Sequence, residues 1–520
     1  MSMKRKNRME YGVWSMEGGS PGKFVIHSRH TPYAIRHTSR GITTLLVVAF
    51  MGIFTLMLGG LVGYALEQAK YGRALHAREE ALSIAESGLE YFKWHVAHNT
   101  AIREDGTGLQ SSYSYTVNDP EGGELGSANI TTSAYKQCGR VQWIDVESEG
   151  TSNADTRFKR VLAARYVRPA VAEYAFVTDS GVYYVSNVTG PVHGNSGVRM
   201  DGTNNSIVSS KLGANEFWCT SSYNCSPSQW KNGVFGNGPN SGLWRFPVSE
   251  INFTTMLNDT TPLQGYANAD GLYLSPTRAY LNGAAQGSSF PSVGGSESKG
   301  FHVVFNSNGT VTVRRVTSTN SLSNTWIPPG ESPEWTKITD RPDIANETTV
   351  GTYTLPSDCA LIYSQAKTWL SGTVSGKITV VAADPGSFNP DILLGGTMVV
   401  SEGNIGYATT DGTTGLTAIA EHGVRFANKV PNDMSIRGVF VAQNGFYGRY
   451  YYGYSGTSYN IRNSLTLNGS VVSKLRASVW YGDSGFANRY TTYDRLQAFT
   501  PAPFTPSARV DYGYVLWHEK

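Results

Sequence analysis

A chain of 520 residues is several times the usual domain of roughly 100 to 150 residues, so it holds more than one folded unit or one elongated one. A formal net charge of +3 with only 16% charged residues leaves no basic surplus, and nucleic acid is set aside as a partner of the whole chain. The 57 glycines and 30 tyrosines, with abundant Asn, Ser and Thr, suit short strands separated by tight turns and not a soluble helical enzyme.

Residues 1–41 form a basic leader in which Lys4, Arg5, Lys6, Arg8, Lys23, Arg29, Arg36 and Arg40 stand against Glu10 and Glu17, eight against two, a net +6. By the positive-inside rule this end stays in the cytoplasm and the bulk of the chain lies on the other side of a membrane. From Ile42 to Leu66 runs ITTLLVVAFMGIFTLMLGGLVGYAL, uncharged and longer than the ~20 residues that cross a bilayer core. A cleaved secretory signal fits poorly, because the leader is long and the apolar run exceeds the usual range of about 7 to 15 residues.

The helical pattern continues without proline to residue 98. Leu75, Leu82, Ala85, Leu89, Phe92 and Val96 recur every three, four or seven residues and share one face. Residues 42–98 are therefore expected to form a transmembrane and stem helix roughly 80 Å long at 1.5 Å per residue.

These residues carry a resemblance. Arg40-Gly41-Ile42 ahead of the apolar run, and Ala85-Glu86-Ser87-Gly88-Leu89-Glu90 in the stem, resemble the N-terminus of type IV prepilins, in particular the PilX-type minor pilins. The resemblance implies that a prepilin peptidase cuts between Gly41 and Ile42, that Ile42 becomes an N-methylated first residue, and that other pilins are partners. The chain departs from the major-pilin pattern at Leu46, where the family usually has a glutamate that neutralises a neighbouring subunit's N-terminus. That departure suits a subunit at a pilus tip, or one that is never cleaved.

Residues 105–170 contain SYSYTV, ANITTSAY, VQWIDVESEG and RFKRVLAARYV, four alternating segments expected to form a small antiparallel sheet on which the stem packs. From 171 to 485, strands of three to six residues closed by Gly or Asn suggest the coils of a parallel β-helix, with a β-sandwich as the alternative. An insertion at about 230–345 interrupts this rhythm, and residues 486–520 read as a C-terminal tail. The expected class is mainly β with one long N-terminal α-helix.

Of the four cysteines, Cys219 and Cys225 close a short loop and are expected to form a disulfide if the region is exported, with two buried thiols as the alternative. Their spacing lacks the paired Cys-x-x-Cys or nearby His of a structural zinc site, and no metal or cofactor is expected. Asp201, Asp384, Asp411, Glu421, His422, Arg425 and Asp433 are the candidates for a polysaccharide hydrolase or lyase, yet no compact acidic motif joins them. Asp201 and Asp411 precede glycine and read as turn residues, while His422 reads as a surface histidine.

Phe446, Tyr447, Tyr450, Tyr451, Tyr452 and Tyr454 form the densest aromatic stretch. It reads either as an exposed contact surface for surface glycans or proteins, or as a ladder or plug within a coil stack. The functional expectation is a non-enzymatic, single-pass, pilin-like surface protein, a minor or tip component presenting a β-helical domain for adhesion or pilus assembly. Its rivals are a membrane-tethered polysaccharide enzyme and a structural envelope protein outside any filament.

Overall fold

The computed structural model describes residues 40–256, 260–293, 298–320, 325–327, 336–337, 342–383, 398–453, 459–509 and 511–520. Residues 1–39 of the expected leader, Asp384 and Tyr454 lie outside them. The chain divides into two compact units, Met1–Gly72 and Arg73–Lys520.

Among the described residues one helix, Arg40–His98, is long and apolar enough to cross a membrane. Its residues from Ile42 to Leu66 are exposed along every face, Ile42 at 70%. Such a surface is unstable in water and is at home among lipid tails.

In the second unit the same helix changes character. Ala85, Leu89, Phe92 and Val96 are buried against Ile130, Ile144, Val146, Leu162 and Tyr166 of an antiparallel sheet, whereas Leu75 is exposed. Full burial of each large apolar side chain here stabilises by about 1.5 to 3 kcal/mol.

Small residues set the distance between helix and sheet. Ala81 and Gly88 approach the sheet so closely that a Cβ on Gly150 would lie 2.0 Å from the Ala81 carbonyl oxygen. A Cβ on Gly88 would lie 2.2 Å from Ser148 Oγ and 2.8 Å from Ala128 Cβ, so small side chains of the sheet already fill the space over that glycine.

The sheet contains Ser112–Asn118, Glu124–Gln137, Arg140–Ser152 and Lys159–Val167 as an antiparallel meander. Its fifth strand is Gly513–Glu519, which returns from the C-terminus to pair with Lys159–Val167. Residues 486–520 thus divide between two structures, because Gly485–Thr492 belongs to the coils described next.

Most of the remaining strands stack in parallel, coil on coil, while others pair antiparallel, among them Gly300–Phe305 with Thr310–Thr319 and Thr310–Thr319 with Ile344–Thr354. One ladder runs through Trp244–Arg245, Val208–Ser210, Val192–Gly194, Phe176–Thr178, Ile461–Ser473, Asp433–Ala442, Gly415–Ala420, Lys377–Ala382, Leu361–Ser364 and Leu272–Leu274. A second joins Gly300–Phe305, Thr368–Val374, Met398–Tyr407, Val424–Phe426 and Tyr447–Arg449. These are the pairings of a parallel β-helix; two facing antiparallel sheets, the sandwich alternative, would not give them.

The order is not that of the chain. The chain enters the stack at Phe176 in its middle and coils outward to Trp244. It then passes through the helix Thr260–Asp270 to Leu272 at the opposite end and coils back until Val471 pairs with Phe176.

The central strands read as unbroken apolar runs because both faces are covered. Ile378, Val380, Leu416, Ala418 and Phe440 point into the coil interior. Val381, Ile419, Val439 and Val441 are covered from outside by Val171, Leu263 and Ala508.

Coil corners need glycine. Gly438 and Gly469 are stacked in register with φ of 145° and 147°, and a Cβ on Gly469 would lie 1.9 Å from the Gly438 carbonyl oxygen.

Candidate functional site

The Gly41–Ile42 bond lies in the first turn of the helix Arg40–His98, at the start of its exposed apolar run. Cys219 and Cys225 are joined at an S–S distance of 2.01 Å, and all four cysteines are bridged, the other pair being Cys138–Cys359.

The Cys219–Cys225 bridge clamps one strand of a hairpin, Phe217–Cys219 against Gln229–Lys231. Across it Trp218 and Trp230 are direct register partners with ring centroids 5.2 Å apart, exposed at 48% and 57%. The cross-linked hairpin thus presents two large, exposed aromatic faces side by side. Sequence reasoning missed this pair; its signal was a Trp directly before Cys219 and another five residues after Cys225.

The tyrosine-rich stretch is a correction to the contact-surface reading. Phe446, Tyr447, Tyr450 and Tyr452 are buried, Tyr451 is half-buried with its hydroxyl donating to Asp483 Oδ2 at 2.9 Å, and Tyr454 lies outside the described residues. The cause is two buried arginines. The Arg425 guanidinium carbon sits 3.5 Å from the Phe446 ring centroid and 5.4 Å from that of Tyr450, and this side chain donates to the Phe446 carbonyl.

Arg449 lies over Tyr452 at 4.9 Å and donates to the carbonyls of Asn428 at 2.8 Å and Tyr459 at 2.7 Å; burial lowers its pKa to about 10. Cations sandwiched between rings and capped by carbonyls form a plug, which leaves little aromatic surface for a ligand.

The carboxylates considered for hydrolysis are dispersed, each with local partners. Asp201 pairs with Arg199 at 2.9 Å and accepts from the Asn237 amide at 2.8 Å, Asp411 accepts from the Thr413 amide and hydroxyl, and Asp433 accepts from Ser464 Oγ at 2.6 Å. Among the described residues no three of His, Cys, Asp and Glu gather as a metal site would require.

A different chain of groups has the order of an acyl-transfer relay: Ser371 Oγ lies 2.8 Å from His302 Nε2, and His302 Nδ1 lies 2.8 Å from Glu347 Oε2. Glu347 also accepts from Arg314, and Ser371 and His302 are both buried, so the chain ties neighbouring strands together on one outward face.

His422 is buried and not a surface histidine. Burial, assisted by the Arg425 charge, lowers its pKa from 6.5 to about 3. The folded protein holds it neutral while an unfolded chain protonates it, so the stability tied to its neutral form is whole above pH 6.5 and falls as pH drops toward 3. Urea midpoints should therefore fall between pH 6.5 and 5 by the equivalent of about 2 kcal/mol, and His422→Gln should flatten that part of the profile. His193, lowered by burial as well, adds to the same slope in both proteins.

No family model and no curated protein matches the chain. Among solved structures the chain is similar to the competence-associated pilin ComZ from Thermus thermophilus, at 12% identity and a TM-score of 0.30, over 85% of this chain and 97% of that one. A likeness that loose assigns no role to any residue here.

Proposed function

We propose that the protein is a pilin-like, membrane-anchored surface protein, a minor or tip component of PilX type, whose coil stack is displayed outside the cell for adhesion or pilus assembly. The observation that carries this reading is the single helix Arg40–His98, bare and apolar over its first half and seated on an antiparallel sheet over its second. That division suits a subunit held by lipid, or by other pilin helices, at one end and by its own fold at the other.

Three further features support it. The net +6 of the leader favours a cytoplasmic N-terminus, the two disulfides suit an oxidising exterior, and Leu46 in place of a glutamate suits a terminal position over repeated insertion along a filament. Within the display domain, the Trp218–Trp230 platform is the surface offered to glycans or proteins. A prepilin peptidase acting at Gly41–Ile42 would release the anchor for assembly.

The orientation is open to a direct test. An alkaline phosphatase fused after Lys520, active only outside the cytoplasm, should be active and remain with membranes washed in alkaline carbonate. An inactive fusion, or one released by the wash, would overturn the reading.

A further inference from the structure

Strand Ile461–Ser473 turns at Gly469, and its two halves serve different neighbours. Ile461 to Asn468 pairs with Gly485–Thr492, while Val471 to Ser473 pairs with Phe176–Thr178. The stack forks here, and the fork holds a cavity of about 320 Å³, within the size range of small-molecule sites.

Its floor is apolar, with Phe176, Leu467 and Val471, while Trp480, Arg476 and Arg489 also line it. The register makes Arg489 unusual. It stands beside Leu465, as Thr491 stands beside Leu467, so a cation occupies a row where the preceding coil turns leucine into the core.

Arg489 donates to the carbonyls of Phe486 at 2.8 Å and Ala487 at 3.0 Å, and burial lowers its pKa. Arg476 donates to the Ser222 carbonyl at 2.6 Å and lies over the Tyr223 ring at 4.4 Å. Neither has a carboxylate partner among the described residues.

Two half-buried arginines beside an apolar floor, with no carboxylate partner among the described residues, suit a guest that brings its own negative charge. We propose that this cavity binds a small amphipathic anion, its apolar body on Phe176, Leu467 and Val471 and its carboxylate or phosphate held by Arg476 and Arg489. Arginine suits such a head because its fork of donors matches both oxyanions.

The test uses the full chain in lipid nanodiscs, with empty nanodiscs as blank, and equilibrium dialysis of naphthalene-2-carboxylate, 1-naphthyl phosphate and the neutral naphthalene-2-methanol. At least one acid should bind tenfold or more tightly than the alcohol, and the better of the two identifies the head group. Arg476→Gln and Arg489→Gln should each remove most of that preference, and Arg489→Lys should keep part of it.

Equal binding of acid and alcohol, no binding of either acid at millimolar concentration, or an acid preference that survives in Arg476→Gln would overturn the proposal.

Discussion

Replacing both Cys138 and Cys359 by serine is expected to destabilise the second unit by about 5 kcal/mol, against about 2 kcal/mol for the same change at Cys219 and Cys225. The difference comes from loop length. The first bridge joins residues 221 apart and the second residues only 6 apart, and a longer closed loop removes more freedom from the unfolded chain.

The long bridge also lies at a joint. It fastens the turn between two strands of the antiparallel sheet to a loop of the coil stack, where the Cys138 amide donates to the Asp358 carbonyl at 2.6 Å and Gln137 Nε2 to the Ser357 carbonyl at 2.8 Å. The Ala360 amide donates back to Gln137 Oε1 at 2.9 Å. Without the bridge, sheet and stack should unfold at separate urea concentrations, visible as non-coincident transitions by circular dichroism and tryptophan fluorescence. Equal small losses for the two pairs would show that the long bridge constrains little.

The second large effect is expected at Gly150. A side chain there meets the Ala81 carbonyl oxygen at 2.0 Å and the Ala85 amide nitrogen at 2.5 Å, both backbone atoms of a helix that cannot move aside locally. Gly150→Val should cost at least about 3 kcal/mol, the upper part of the range for overpacking, because the whole helix must lift from Ala85, Leu89 and Phe92's seats on the sheet.

Hydrogen exchange along residues 77–96 should accelerate together, since that segment is held by the contact being opened. Gly72→Ala is the control. Nothing lies within 4 Å of a Cβ at that helical position, so the change should be neutral or stabilising by up to about 1 kcal/mol. A Gly150→Val protein as stable as the parent would mean that helix and sheet are not packed as described.

The apolar anchor and the stem were readable because both rest on periodicity and length, which are local. Of the expected stem face, Ala85, Leu89, Phe92 and Val96 are buried and Leu75 is not. Ala81 and Gly88, which bring the helix onto Gly150 and Ser148, were missed because small side chains give little hydrophobic signal.

Coil stacking was legible from short runs closed by glycine. The path was not, because no local pattern says that Phe176 meets Val471 or that Cys138 meets Cys359. The tyrosine-rich stretch was ambiguous for another reason: its burial depends on Arg425 and Arg449 lying between its rings, and charged residues in composition read as surface. Of the candidate sites, the Trp218–Trp230 platform and the cavity at Arg489 both depend on cross-strand register, which a single sequence does not display.

The most direct test of the pilin-like reading is the N-terminal sequence and mass of the mature protein recovered from the membrane and extracellular fractions of its native cells. A chain that starts at Ile42, carrying one methyl group on its amine, is the predicted result. An intact Met1 terminus confined to the membrane, or a cut beyond Leu66, would contradict it.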